Sequence, residues 1–439
     1  MSASRRLGWV AWWGYALFFL MLFVPTTYQT LKAPVLAALA AVIAAGALAR
    51  GRLRLHPVVL LWTVFLVCVG LAFMIRGLIG GAPGALRVGT VYVVWPLVYV
   101  LLVSGAAQWG TLIGLARVML VATCAIGVYG VSYILHVVGW LPGYLYLPVN
   151  LGQAIGLYRG FIELNLNNIA SLLFLVPFVI TVLMTWSDRR TAPASRVWLW
   201  SALVAGGALV LLSGRRALLL VVCLAPLLAL GGRAALPRLE RLTSRRVLVG
   251  TAVGGLVVAV ALTLYLHALY NFSLASVWRM FARGFDFQHD ISATARSGQL
   301  TALLTEWASS PLLGAGHGAS AAGSVRSVDQ PWAYELSYAA LLFHTGLLGF
   351  LIYSAAVLWI YAQGLRMIRA GGAAGHYMLA VLVALTCFLI GNATNPYLEK
   401  YDLLWVIFLP VALINQWMLA GQAGRAAAMD LAYADAPSP

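Results

Sequence analysis

Apolar runs recur along the chain at the length of a membrane-crossing helix. The first is GWVAWWGYALFFLMLFV, residues 8–24. Further runs follow at 34–49, 57–75, 88–104, 112–138, 167–186, 197–213, 217–231, 247–268, 336–360, 377–393 and 402–420. A helix needs about twenty apolar residues to cross the hydrocarbon core, so the pattern predicts about twelve spans. Two polar stretches interrupt it, a shorter one at 139–166 and a longer one at 269–335. In the longer one a helix is predicted from Ser292 to Ser309, ended by the Pro- and Gly-rich run ASSPLLGAGHG. The expected organisation is an all-α bundle. Residues 1–268 carry nine spans, 269–335 form a partly helical outer loop, and 336–439 carry three spans and a tail. No internal repeat or separate soluble domain is visible.

Composition agrees with this class. Of 439 residues, 62% are hydrophobic and only 9% charged, too few charges for a soluble core of this size. The four cysteines (Cys68, Cys124, Cys223 and Cys387) all lie inside apolar runs and read as small buried hydrophobes, not as disulfide or metal partners. The run after Arg5 and Arg6 leads through VPTTYQTLK into another span, so it reads as a retained helix and not a cleaved signal.

Charge sets the orientation. The loops RGRLRLH (50–56), SDRRTAPASR (187–196), GGRAALPRLERLTSRR (231–246) and LRMIRAGG (365–372) fall on one side of a twelve-span count. By the positive-inside rule that side is the cytoplasm, and both termini lie there. The net charge of +16 is then mostly topology and implies no nucleic-acid partner.

Arg215 and Arg216, in LSGRRA, break the rule by falling on the outer side. The bland reading is that they snorkel to headgroups. The sharper reading is an anion site, because a guanidinium bonds diphosphate oxygens in pairs and stays charged. The chain has only Lys32 and Lys400 as lysines, which weakens the argument from residue choice but not from position. Arg76 and Arg87, flanking GLIGGAPGAL on the same side, are candidates to hold diphosphate or lipid headgroups. Arg296 stands near the start of the outer helix, where helix amides and a guanidinium can face one anion. Glu335 stands where the outer loop enters the next span, with His344 about two turns deeper.

Other polar groups carry two readings each. His317 lies in GAGHGA, a flexible loop from which it can touch substrate, and His344 reads as a core histidine or an alternative base. Glu163, Asn165, Asn167 and Asn168 in FIELNLNNIA suit sugar hydroxyls or helix capping equally. Asp286, His289 and Asp290 in FDFQHD lack specific metal spacing and read as a solvated loop, so no metal or cofactor is expected. The aromatic run WLPGYLYL (140–147) reads as an interfacial belt.

The string R-x14-P-L-L-G-x-G, from Arg296 to Gly316, is followed by a span containing GLLG (346–349), and LSGRRA forms a short outer hairpin. Together these resemble the bacterial O-antigen ligase and O-antigen polymerase superfamily over roughly residues 205–350. The resemblance implies a C-type membrane glycosyltransferase in the bacterial inner membrane, with its active site facing the periplasm. Such an enzyme takes a glycan from an undecaprenyl diphosphate carrier without nucleotide sugar or metal, and passes it to a growing glycan or to lipid A core. A chain-length regulator protein is an expected partner of the polymerases. Arg216 or Arg215, with Arg296, would bind the diphosphate, and Glu335 would be the base. The ligases usually carry a histidine eleven residues before the first Gly of GLLG, where this chain has Glu335. That departure, with YELSYAALL (334–342) and TNPYL (394–398), is more similar to the repeat-unit polymerases. A transporter of a lipid-linked saccharide is the alternative from another class. It would place its polar groups at the bilayer midplane, in two corresponding halves, whereas the unusual charges here sit at the outer edge.

Overall fold

A computed structural model of the chain describes residues 3–49, 51, 53–109, 111–158, 161–186, 191–237, 291–323 and 329–421, with scattered positions between 249 and 275. These residues form α1 (Ala3–Phe23), α2 (Gln29–Ala49), α3 (Pro57–Ile79), α4 (Ala85–Trp109), α5 (Leu112–Val137), β1 (Ala154–Tyr158) and β2 (Phe161–Asn165). They continue as α6 (Ile169–Thr185), α7 (Arg196–Leu212), α8 (Arg216–Arg233), α9 (Ile291–Trp307), α10 (Ser337–Ala370), α11 (Gly372–Asn392) and α12 (Trp405–Leu419). Seven helices (α2, α3, α4, α5, α8, α10 and α11) are long and apolar enough to cross a membrane. Four shorter apolar helices lie in α1 and at α6, α7 and α12. The chain is a multi-pass helical membrane protein. The span expected at 247–268 lies outside the described residues apart from isolated positions, as do Asp286, His289 and Asp290.

Lipid exposure sorts the helices. A helix apolar all round belongs in the interior, and every residue of α6 is buried. It packs on α11, α8 and α7. The most apolar stretch of α11 is 83% buried, whereas that of α3 is only 22% buried, so α3 turns most of its surface to lipid. Polar contacts sort the connections into two ends. At one end the backbone of Arg54 meets Ser104 and Asn415, and Arg117 donates to the carbonyl of Pro193. At the other, Gly84 donates to Gly318, Tyr28 accepts from the amide of Asn150, and Arg215 reaches Tyr397. The second end collects the segments that the basic-loop pattern groups as outer.

Three features depart from the expected pattern. First, β1 and β2 form an antiparallel hairpin, pairing Ala154 with Asn165, in a stretch expected to be a loop within an all-α chain. Second, α10 runs ten residues past the expected end at 360. Its polar tail, RMIRA, stays helical until Gly371 takes a φ of 76°.

The third is a break inside α10. Gly346 adopts φ 61° and ψ −172°, which no helix permits. The break frees backbone groups on both sides of it, and in the membrane each must find a partner. The PLLGAGHG segment supplies them. Ala315 and Gly316 donate to the carbonyls of Phe343 and His344 at 2.9 and 2.8 Å. Leu347 and Leu348 donate to the carbonyls of Pro311 and Leu312 at 2.8 and 3.1 Å. This segment is therefore a plug seated in the helix break. On its far side His317 donates to the carbonyl of Phe73 at 3.0 Å.

Candidate functional site

The plug locates the charged groups. Arg76, at the end of α3, donates from Nε to Gly314 O at 2.7 Å and from Nη2 to Ser310 Oγ at 2.9 Å. Its guanidinium thus clamps the plug, a structural use not expected from the sequence. Gly316 follows, with φ 94°. A methyl there would come 2.8 Å from the carbonyl carbon of Arg76, besides taking a backbone conformation that disfavours any side chain. Gly316→Ala is therefore expected to unseat the plug. It should lower the melting temperature in detergent and open the 308–320 stretch to protease, at a cost above about 1 kcal/mol. An unchanged melting curve and cleavage pattern would show that the plug tolerates a side chain.

The plug also buries His317, which was expected on an accessible loop. It is 0% exposed, stacked on Tyr92 with ring centroids 4.3 Å apart, and neither ring nitrogen has a hydrogen-bond partner. Burial first, and then the neighbouring His344, hold its imidazole well below the ordinary range, so it is neutral. His344 is 2% exposed and its Nε2 lies 3.0 Å from Ala319 O. Both histidines are fittings of the plug and do not face solvent.

Beyond the plug lies a wet corner. Arg296, in the second turn of α9, donates from Nε to Glu335 Oε2 at 2.9 Å. The side chains remain 34% and 25% exposed, so water reaches both. Gln299, one turn further along α9, accepts from the amides of Glu335 and Leu336 at 2.9 and 3.0 Å. Helix α9 thus positions Glu335 through both its side chain and its backbone.

The same corner receives the turn between α11 and α12. Ser337 donates to the carbonyls of Asn392 and Asn395 at 2.6 and 3.0 Å, and Asn392 Oδ1 accepts from the amide of Leu398 at 3.0 Å. From the opposite side Arg215, at the head of α8, donates to the hydroxyl of Tyr397 at 3.3 Å and to Asn165 Oδ1. The hairpin that carries Asn165 therefore serves to hold Arg215. Tyr397 is buried, which raises its phenol, while the Arg215 charge lowers it. Arg216 opens α8, half-buried, where the first-turn amides lack helical acceptors. Arg215 and Arg296 thus bind segments of one corner, joined through Tyr397, Ser337 and Glu335. Arg87 is exposed on α4, and Glu163 lies in β2 with its side chain outside the described residues.

Sequence reasoning missed Glu399. It follows Tyr397 in the turn and is partly exposed, yet burial pushes its carboxyl up to about 8, against the smaller opposing effect of Lys400. The string TNPYLEK marks it only as a loop residue.

No group of three or more potential metal ligands occurs among the described residues. No protein-family model matches the chain, and no curated protein matches it in sequence.

Proposed function

We propose that the chain is a glycosyltransferase of the bacterial inner membrane. In this reading it takes glycan repeat units from an undecaprenyl diphosphate carrier at the periplasmic face and polymerises them into a surface polysaccharide. The observation that carries the reading is the wet corner itself. Arg296 pairs with Glu335 beside the start of α10, and Arg215 holds Tyr397 in the turn that Ser337 of α10 pins.

The chemistry follows from those groups. Diphosphate leaves the anomeric carbon of the donor, and its negative charge grows in the transition state. Arg215 and Arg296, with Arg216 and the amides at the head of α8, bind and stabilise that charge. The acceptor hydroxyl attacks from the opposite face and gives its proton to Glu335. The donor carbon–oxygen bond breaks as the new one forms, with inversion at the anomeric carbon. Lipid A core would be the acceptor if the chain were a ligase, but those enzymes usually carry histidine where Glu335 stands. A transporter would place its charges at the midplane, whereas these groups gather at one end.

Protein in proteoliposomes, given purified undecaprenyl diphosphate-linked repeat units, is expected to lengthen the glycan. Glu335→Gln keeps the shape of the side chain and removes its basicity. It should cut turnover about a hundredfold while donor binding is kept. Undiminished turnover per folded enzyme would leave Glu335 with only the task of holding α9 to α10.

A further inference from the structure

The chain after α5 turns back along that helix instead of rising from it. Helix α5 starts at the Arg54 end of the bundle and runs 26 residues to Val137. That is about 39 Å, longer than the hydrocarbon core is thick. Gly139 then takes φ 84°, and the amides of Trp140 and Leu141 fold back to the carbonyl of Leu135 at 2.9 and 3.0 Å. From there the chain descends. Tyr146 stacks on His136 with ring centroids 4.4 Å apart, and its hydroxyl lies 2.8 Å from that of Tyr129, two turns lower on α5. Tyr129 in turn donates to the carbonyl of Val149 at 3.0 Å, and Gln153 donates to the hydroxyl of Tyr129 at 3.0 Å. Counted from Leu112, Tyr129 stands about 25 Å up the helix, near the far edge of the hydrocarbon. Phe23, where α1 ends, packs on the Tyr129 ring at 5.7 Å and marks the same level. The outward side of the descending loop is apolar. Trp140, Tyr144, Leu145 and Leu147 are all exposed, and no Asp, Glu, Lys or Arg occurs from residue 118 to 158.

We propose that residues 140–147 re-enter the membrane surface and lie in the headgroup layer of the leaflet beside the corner, with Trp140, Tyr144, Leu145 and Leu147 against phospholipid. Two observations select lipid as the partner. The face follows directly on the exposed surface of α5, where Val128 and Val137 already meet lipid. It also descends to the level where α1 ends, so it stands within the bilayer's polar layer and not above it. The residue types suit that depth. Trp and Tyr rings have one apolar and one polar end and favour the headgroup level, while the leucines reach the upper acyl chains. The loop goes no deeper, because irregular backbone facing lipid is not tolerated in the hydrocarbon itself. The bonds to Tyr129 and the His136 stack hold the loop on α5, so it meets the lipid as a preformed surface. Leu151 then accepts from the amide of Asn167 at 2.9 Å, and the loop leads straight into the hairpin that holds Arg215. The hairpin, and Arg215 with it, is thereby tied to the lipid surface.

The test is the depth of a spin label attached at Tyr144→Cys or at Leu147→Cys, in phospholipid vesicles, with the four native cysteines replaced by alanine. Collision of the label with oxygen and with a water-soluble nickel chelate reads its depth against labelled phospholipids. Both labels are expected below the lipid phosphates, within about 10 Å of them. A label at either site that lies above the phosphates and meets the chelate as freely as in water overturns the proposal and leaves the transferase reading intact. If the cysteine-free chain does not fold, benzoylphenylalanine in place of Tyr144 in the otherwise native chain carries the test. Illuminated in native membranes, that protein is expected to gain the mass of one phospholipid. A protein adduct in its place, or the absence of any phospholipid adduct, overturns the proposal.

Discussion

Arg215→Ala and Arg296→Ala are each expected to abolish glycan transfer, by at least about a thousandfold, while the protein still inserts and folds. The magnitude follows from the charge at stake. A preorganised donor aimed at developing negative charge contributes about 10²–10³ in rate, and a guanidinium on a transferring phosphate contributes more. The two variants should differ in what else they disturb. Arg215 bonds Tyr397 and Asn165, so its loss releases both the turn and the hairpin. Arg296 bonds Glu335 through Nε, and the Gln299 contacts still hold the backbone there. Lysine should rescue poorly at either site, because a point charge cannot make a bidentate contact. The measurement is single-turnover transfer per folded enzyme, alongside a melting curve for each variant. Normal product from either alanine variant would remove that arginine from the mechanism.

Much of the bundle was legible because lipid imposes one rule, that each crossing segment be apolar and helical. The outer helix was legible too, since α9 falls within two residues of the expected Ser292–Ser309. What stayed hidden depends on contacts distant in sequence. The break at Gly346 lies within GLLGFLI, which reads as ordinary helix. Only the backbone of residues 311–316, some thirty positions earlier, makes the break affordable. For the same reason neither the burial of His317 nor the clamping of the plug by Arg76 could be read from the sequence. A polar residue in a Gly-rich loop reads as exposed unless the loop is known to insert. Arg296 and Glu335 were legible as candidates from spacing, but their direct pairing across 39 positions was not.

Lys32 presents the clearest case of a hidden long-range bond, and it should have the largest effect on stability. It lies in VPTTYQTLK, which reads as the polar edge of a loop, yet it is 2% exposed. Its Nζ donates to Asp402 Oδ2 at 2.5 Å and to the carbonyl of Val24 at 2.7 Å, and Asp402 is 0% exposed. The amide of Thr26 adds a third bond, to Asp402 Oδ2 at 2.6 Å. The turn that delivers these groups is strained, with φ 64° at Thr26 and 52° at Tyr28. A short strained turn at a buried ion pair indicates that the pair fixes the local backbone. What it fixes is the stretch just after Glu399, also clamped where Tyr401 donates to Gln29 O and Tyr99 donates to Tyr401 O, both at 2.9 Å. Lys32→Met removes the cation and leaves an uncompensated buried carboxylate, a change that costs about 3–5 kcal/mol. The variant is therefore expected to melt far below wild type or to fail to accumulate. Replacing both partners, as in Lys32→Met with Asp402→Leu, removes the unpaired charge and should recover most of the loss, since an apolar pair of similar size is often neutral. The melting temperatures of the two single variants and the double variant form a cycle that isolates the coupling. Additive losses, with the double variant worse than either single one, would show that the pair contributes nothing as a pair. A double variant that regains its melting temperature but not its transfer activity would show that the ion pair's further task is to aim the Tyr397–Glu399 turn at the site.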